Sequence, residues 1–251
     1  VDEVDTAADN QVFLDFLAQL RAAYLDSDIT PAFQSVILAG VYDIRNIRQK
    51  LRPEEEHKEN SPWNIAADFL VDMSFSVNDI AGMLKEYEAD YQIGIETGAI
   101  SRLLYDYTSG YPYLVSRLCK LMDERIAGTV RFPDKASVWT KDGCTMAVKM
   151  LLEENNPLFD SLMNKLMQFP ELKSVISRQL FQGQPIAYSP DDRAVRNARM
   201  FGFVKVEDST VQIANRIFET RLYNRFLLEY QDQDGGIYIE GARQKVFYAL
   251  P

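Results

Sequence analysis

Val1-Asp2-Glu3-Val4-Asp5 opens the chain and admits two readings. As an isolated terminus it is an acidic cluster, of the kind that caps a helix or frays into solvent. As the end of an inner strand it brings two adjacent carboxylates to the rim of a sheet. Successive side chains there point to opposite faces, but the last one can lean over the edge. The residues after it favour the strand. Past the polar turn Thr6-Ala7-Ala8-Asp9-Asn10, the residues Phe13, Phe16, Leu17, Leu20 and Tyr24 recur at three-to-four spacing, which predicts an amphipathic helix over 11–25. Asp26 to Pro31 breaks it. Ser35-Val36-Ile37-Leu38-Ala39-Gly40-Val41 is then a continuous apolar run of strand length, the pattern of strands buried on both faces in parallel sheets. Strand, helix, strand is the alternation of an α/β sheet.

Tyr42-Asp43 ends this second strand, and 44–51 reads as a short basic helix with Arg45, Arg48 and Lys50, stopped by Pro53. The charged stretch from Glu54 to Pro62 is a loop and holds the only histidine, His57, which reads as solvated. Residues 69–75 form another strand or extended segment. Ser76-Val77-Asn78-Asp79 has the form of a capping box, and from there to residue 155 the periodicity is helical. Ile100, Leu103, Leu104 and Tyr107 make one face, Leu114, Leu118, Leu121 and Met122 a second, and Cys144, Ala147, Val148 and Leu151 a third. Between the first two lies Thr108-Ser109-Gly110-Tyr111-Pro112, with its proline placed for a helix start.

From 157 onward the pattern changes. Helices are expected around Leu158–Leu166 and Leu172–Leu180, and a third from Ser189-Pro190-Asp191-Asp192 to Phe201-Gly202. Phe203–Val206 and Thr210–Ile213 flank Glu207-Asp208-Ser209 as a β-hairpin, and a final helix carries Ile217, Phe218, Leu222 and Phe226. Three helices, a hairpin and a helix compose a winged helix-turn-helix. The organisation is therefore 1–75 core segment, 76–155 helical domain, 156–230 winged helix and 231–251 linker or tail.

The composition (47% apolar, 25% charged, 12% aromatic) allows a sizeable core. A net charge of −10 argues against a polyanion binder over the whole surface, while leaving room for a local basic patch. With one histidine, His-based triads and His-rich metal sites are excluded. The two cysteines, Cys119 and Cys144, lie in no motif and point to a reducing, cytoplasmic compartment. No apolar run reaches the length of a membrane span, so no membrane partner is expected.

In this order the chain resembles the AAA-like and STAND P-loop ATPases, and more closely the bacterial AAA-ATPase-like proteins. The resemblance covers residues 1 to about 230. It rests on Val1-Asp2-Glu3-Val4-Asp5 as the Walker-B strand end and Ile37-Leu38-Ala39-Gly40-Val41-Tyr42-Asp43 as the sensor-1 strand. Thr108-Ser109-Gly110-Tyr111-Pro112-Tyr113-Leu114 stands for the lid turn, and Asn215-Arg216-Ile217-Phe218 opens the last winged-helix element. The resemblance implies that Asp2 holds Mg²⁺, that Glu3 is the catalytic base, and that Tyr42 or Asp43 takes the sensor position, more often Asn, Ser or Thr. It also implies that Gly110, Tyr111 and Pro112 lie near the adenine. Arg117 would be within reach of the phosphates, against the simpler reading of a solvated helix arginine.

The chain departs from the family in lacking a Gly-x-x-x-x-Gly-Lys-[Ser/Thr] loop, whose backbone N–H groups cradle the phosphates. The fold expected is thus α/β plus α: a partial parallel P-loop sheet without its P-loop strand, a helical lid and a winged helix. The chain would begin inside an ATPase domain. ATP and Mg²⁺ belong to the complete protein, and no cofactor is expected in this chain. Partners would be other domains or chains of the same protein, or DNA. The DNA reading comes from residues 157–230, where ten lysines and arginines meet eight carboxylates. Arg193, Arg196 and Arg199 form one stripe on the third helix, where phosphates could be contacted. The simpler reading is an exposed helix face, because Asp191 and Asp192 sit at the end that should enter the groove. A third reading has the winged helix clamp the ATPase core.

Overall fold

A computed structural model describes residues 11–29, 31–40, 72–182 and 185–233. The chain divides into two compact units, residues 1–71 and 72–251.

In the first unit the expected helix forms as α1 (Gln11–Leu25). Leu17 is its buried position, and the rings of Phe13 and Phe16 stand 6.3 Å apart. A turn closed by Ile29 N donating to Asp26 O at 2.9 Å comes next. The strand expected over 35–41 is not found: residues 31–40 are irregular, with Val36 44% and Ile37 69% exposed. A strand exists only through its ladder, and among the described residues this apolar run has no neighbouring strand to share backbone hydrogen bonds with. No parallel sheet is present among the described residues. The stretch 1–5 read as a Walker-B strand end, Tyr42 and Asp43, the basic helix expected over 44–51, the His57 loop and residues 69–71 lie outside them.

The second unit is mainly helical with one small antiparallel sheet. Its first helix, α2 (Val77–Tyr91), begins at the capping box read from sequence. Ser76 Oγ accepts from Asp79 N at 3.2 Å, and Asp79 Oδ2 accepts from Ser76 N at 2.8 Å. Then come α3 (Thr97–Thr108), α4 (Pro112–Leu121) with a π-helical turn over Met122–Ile126, the short α5 (Lys135–Val138) and α6 (Lys141–Glu153). Leu114, Leu118, Leu121, Met122, Cys144, Ala147, Val148 and Leu151 are all buried, so the apolar faces of α4 and α6 point to the core as their spacing requires.

The remainder consists of α7 (Pro157–Gln168), α8 (Pro170–Ser177) extended by a π-helical turn, β1 (Ile186–Ala187), α9 (Arg193–Met200), β2 (Val204–Glu207), β3 (Thr210–Ile213) and α10 (Arg216–Gln233). The sheet order is β1-β3-β2, with Val206 opposite Val211 and Ile186 also opposite Val211. Strand β1 has no counterpart in the sequence reading, being only two residues long. The hairpin turn is Asp208-Ser209, both at positive φ (48° and 58°), a mirror-image turn whose twist suits the flanking strands. Helix α9 starts later than its Ser-Pro-Asp-Asp signal suggests. The Asp192 carboxylate accepts from both Ala194 N and Val195 N, whereas Ser189 only turns the preceding loop, its Oγ accepting from Asp191 N. One continuous core runs from Ile80 on α2 to Phe226 on α10.

Candidate functional site

The Gly-Tyr-Pro turn joins three parts of the second unit. Helix α3 ends at Ser109 in the left-handed conformation (φ 48°), and Gly110 comes next at φ +74°. Thr108 Oγ1 donates to Leu104 O at 2.7 Å and accepts from Gly110 N at 3.1 Å, so the end of α3 is hydrogen-bonded without water. Gly110 O accepts from Phe75 N at 2.8 Å. A Cβ at Gly110 would lie 2.0 Å from Phe75 O. Only glycine allows both this φ and this approach. Tyr111 then sets its ring edge-on to Phe218 of α10, with centroids 5.6 Å apart, and burial pushes its phenol pKa up. Pro112 is the first residue of α4. Gly110 and Tyr111 thus face protein, and the residues read as adenine neighbours hold the incoming chain and the last helix together.

The start of α10 forms the other side of this junction. Buried Asn215 caps the helix, its Oδ1 accepting from Phe218 N at 2.9 Å. Arg216 lies over the Tyr107 ring at 5.3 Å, and Phe218 is packed edge-on against Phe159 at 6.5 Å. Arg221 lies over Phe159 at 4.9 Å and donates to the Leu152 carbonyl at the end of α6. The Asn-Arg-Ile-Phe motif therefore has a packing role for each of its residues, since Ile217 is buried too.

Arg117 is half-buried and paired with a carboxylate. It grips Glu154 with two bonds, Nε to Oε2 at 3.0 Å and Nη2 to Oε1 at 2.5 Å, with both side chains half-buried. The hydrogen bond to Glu154 holds the Arg117 pKa above its ordinary value.

No family model, curated protein or solved structure matches this chain. Its site must be read from its own geometry.

On α9, Arg193, Arg196 and Arg199 are exposed and share one face. Arg196 Nη1 donates to Pro190 O at 3.1 Å. Arg199 Nη1 donates to Tyr188 OH at 3.1 Å, with its guanidinium 5.4 Å from that ring. Among the described residues none of the three is in an ion pair with a carboxylate. The opposite face buries Val195 and Ala198.

One cluster has no counterpart in the sequence reading. Asp123 and Lys135 form an ion pair at 2.7 Å, Tyr87 OH donates to Asp123, and Lys135 Nζ lies 4.0 Å from the centroid of Tyr91, which stacks on Tyr87. Burial raises the Asp123 pKa, but the hydrogen bonds from Lys135 and Tyr87 outweigh it and hold the group below its usual value. The hydrogen bond to Asp123, then that to Tyr87, raises Lys135. No local signal marks the cluster, because Tyr87 stands 36 residues from Asp123 and 48 from Lys135 in sequence.

Asp2, Glu3, Tyr42 and Asp43 lie outside the described residues. Among the described ones no group of three His, Cys, Asp or Glu could hold a metal, and no helix is long and apolar enough to cross a membrane. Cys119 and Cys144 are free thiols, and burial pushes both up to about 12, which removes the thiolate needed for nucleophilic work at neutral pH.

Proposed function

We propose that residues 72–233 are the output part of a P-loop ATPase of AAA-like or STAND type, a helical lid carrying a winged helix. In this reading they follow ATP binding and hydrolysis in the complete protein and perform neither in this chain. The observation that carries the reading is the junction at Gly110-Tyr111. Phe75, where the chain enters the helical unit, is hydrogen-bonded to Gly110, and the next residue packs on Phe218 of the last helix. A displacement of the entering segment would be passed to α10 through two contacts and no flexible linker.

In the complete protein, Asp2 would hold Mg²⁺ and Glu3 would orient the attacking water, with Tyr42 or Asp43 beside the γ-phosphate. This chain supplies no phosphate cradle, since it contains no Gly-x-x-x-x-Gly-Lys sequence. The free thiols suit the reducing cytoplasm in which such an ATPase would work.

The 251-residue chain is expected to bind no labelled ATP in the presence of Mg²⁺. Tight Mg²⁺-dependent binding would overturn the site assignment. In the complete protein, Mg-ATP should change the hydrogen exchange of residues 108–112 and 215–221 together; a change in only one of them, or in neither, contradicts the relay.

A further inference from the structure

We propose that the outward face of α9 binds the phosphate backbone of duplex DNA without reading its bases. This goes beyond the ATPase reading and does not depend on it. Arg193, Arg196 and Arg199 recur every three residues on the exposed side of α9. At a rise of ~1.5 Å per residue the ladder spans about 9 Å, and with one phosphate per strand for every ~3.4 Å of duplex axis, an α9 lying along that axis faces about three of them.

Two of the arginines are already braced, Arg196 by Pro190 O and Arg199 by Tyr188. A guanidinium has five N–H donors, so each keeps others for a phosphate oxygen and loses less side-chain freedom on binding. No carboxylate among the described residues neutralises any of the three.

Base reading is opposed by the same helix. Asp192 is committed to the cap, and exposed Asp191 stands beside it at the end that would enter the major groove. On the hairpin Lys205 is paired with Glu207 at 3.2 Å, so the lysine there is already engaged by a carboxylate. The face lacks the apolar side chains that a lipid surface would require, and its even charge spacing matches a repeating polyanion.

The test is fluorescence anisotropy of the 251-residue chain with two unrelated labelled duplexes of about 25 base pairs, titrated from ~20 to ~200 mM KCl. Expected is binding at low salt, equal for the two sequences within about threefold, with log K falling against log[KCl] at a slope of about −2.7 for three phosphates. Arg196→Gln should reduce that slope by about 1, and the triple variant R193A/R196A/R199A should bind neither duplex. Circular dichroism and an unchanged unfolding midpoint would show that these variants are folded. Three results would each overturn the proposal: no binding of the unaltered chain at the lowest salt, a slope unchanged in the folded triple variant, or a preference of about tenfold or more for one sequence. Binding to phosphatidylserine vesicles but not to duplex would do the same.

Discussion

Arg216 and Arg221 on α10 and the three arginines of α9 belong to the same stretch of chain, yet the fold uses them in opposite ways. The α10 pair is drawn inward. Arg216 covers Tyr107, and Arg221 covers Phe159 while bonding to the Leu152 carbonyl. The α9 set stands outward, braced by Pro190 and Tyr188 and facing no carboxylate among the described residues. Charge alone therefore assigns no role to an arginine here. The rings that Arg216 and Arg221 cover, Tyr107 and Phe159, are buried and make that pair structural staples, whereas the half-buried Tyr188 and exposed Pro190 only brace Arg199 and Arg196 at the surface.

The largest loss is expected at the turn beside the inward pair. Gly110→Ala places a Cβ against the Phe75 carbonyl and forces alanine into a left-handed φ, at a cost of about 3 kcal/mol or more. Gly202→Ala is its control. That glycine has nearly the same φ, +76°, but open space around it, so only the conformational cost of about 1–2 kcal/mol should appear in urea unfolding. Equal losses in the two variants would show that the Phe75 contact contributes nothing.

Phe218→Ala should cost about 3–5 kcal/mol as a buried aromatic truncation. Next in size, Arg221→Ala should cost about 1–3 kcal/mol by orphaning the Leu152 carbonyl. By contrast Arg196→Gln, on the outward face, should stay within about 0.5 kcal/mol of the parent. If the two arginine substitutions destabilise equally, the inward–outward distinction fails.

The Asp123–Lys135 pair offers a test by pH. Because its partners hold Asp123 below the value of 3.8 it has when unfolded, its contribution is present above that value. It is lost as pH falls through the lower, folded one. Asp123→Asn should therefore flatten the stability profile on the acid side and, because the same carboxylate raises Lys135, also lessen the loss of stability at alkaline pH. A gain in place of a loss is expected in the hairpin turn, where Ser209 sits at φ 58°. Ser209→Gly should raise stability by about 0.5–1 kcal/mol, visible as a small rise in unfolding midpoint.

What can be read from the sequence depends on the range of the interactions. Capping and periodicity are local, so the Ser76–Asp79 box, the Pro112 helix start, the helix through Leu158–Leu166, the 203–213 hairpin and the last helix are read directly. The run 35–40 is not, because a strand is a property of its neighbour as much as of its own residues. The start of α9 is misplaced by a few residues because three side chains, Ser189, Asp191 and Asp192, could each serve as the cap, and only geometry shows that Asp192 takes both amides. The sequence leaves Arg117 between solvent and phosphate, because its partner Glu154 stands 37 residues away. The Gly-Tyr-Pro turn is visible as a break, but its contacts with Phe75 and Phe218 are tertiary.

On this account helices α3 and α4 and the last helix form one body through the Tyr111–Phe218 contact. Native-state hydrogen exchange of the 251-residue chain in low denaturant tests it most directly. Buried amides of α3 and α4 and those of α10 between residues 217 and 226 should open with the same free energy and the same denaturant slope. Opening of α10 at a distinctly lower free energy, while α3 and α4 stay protected, would contradict it.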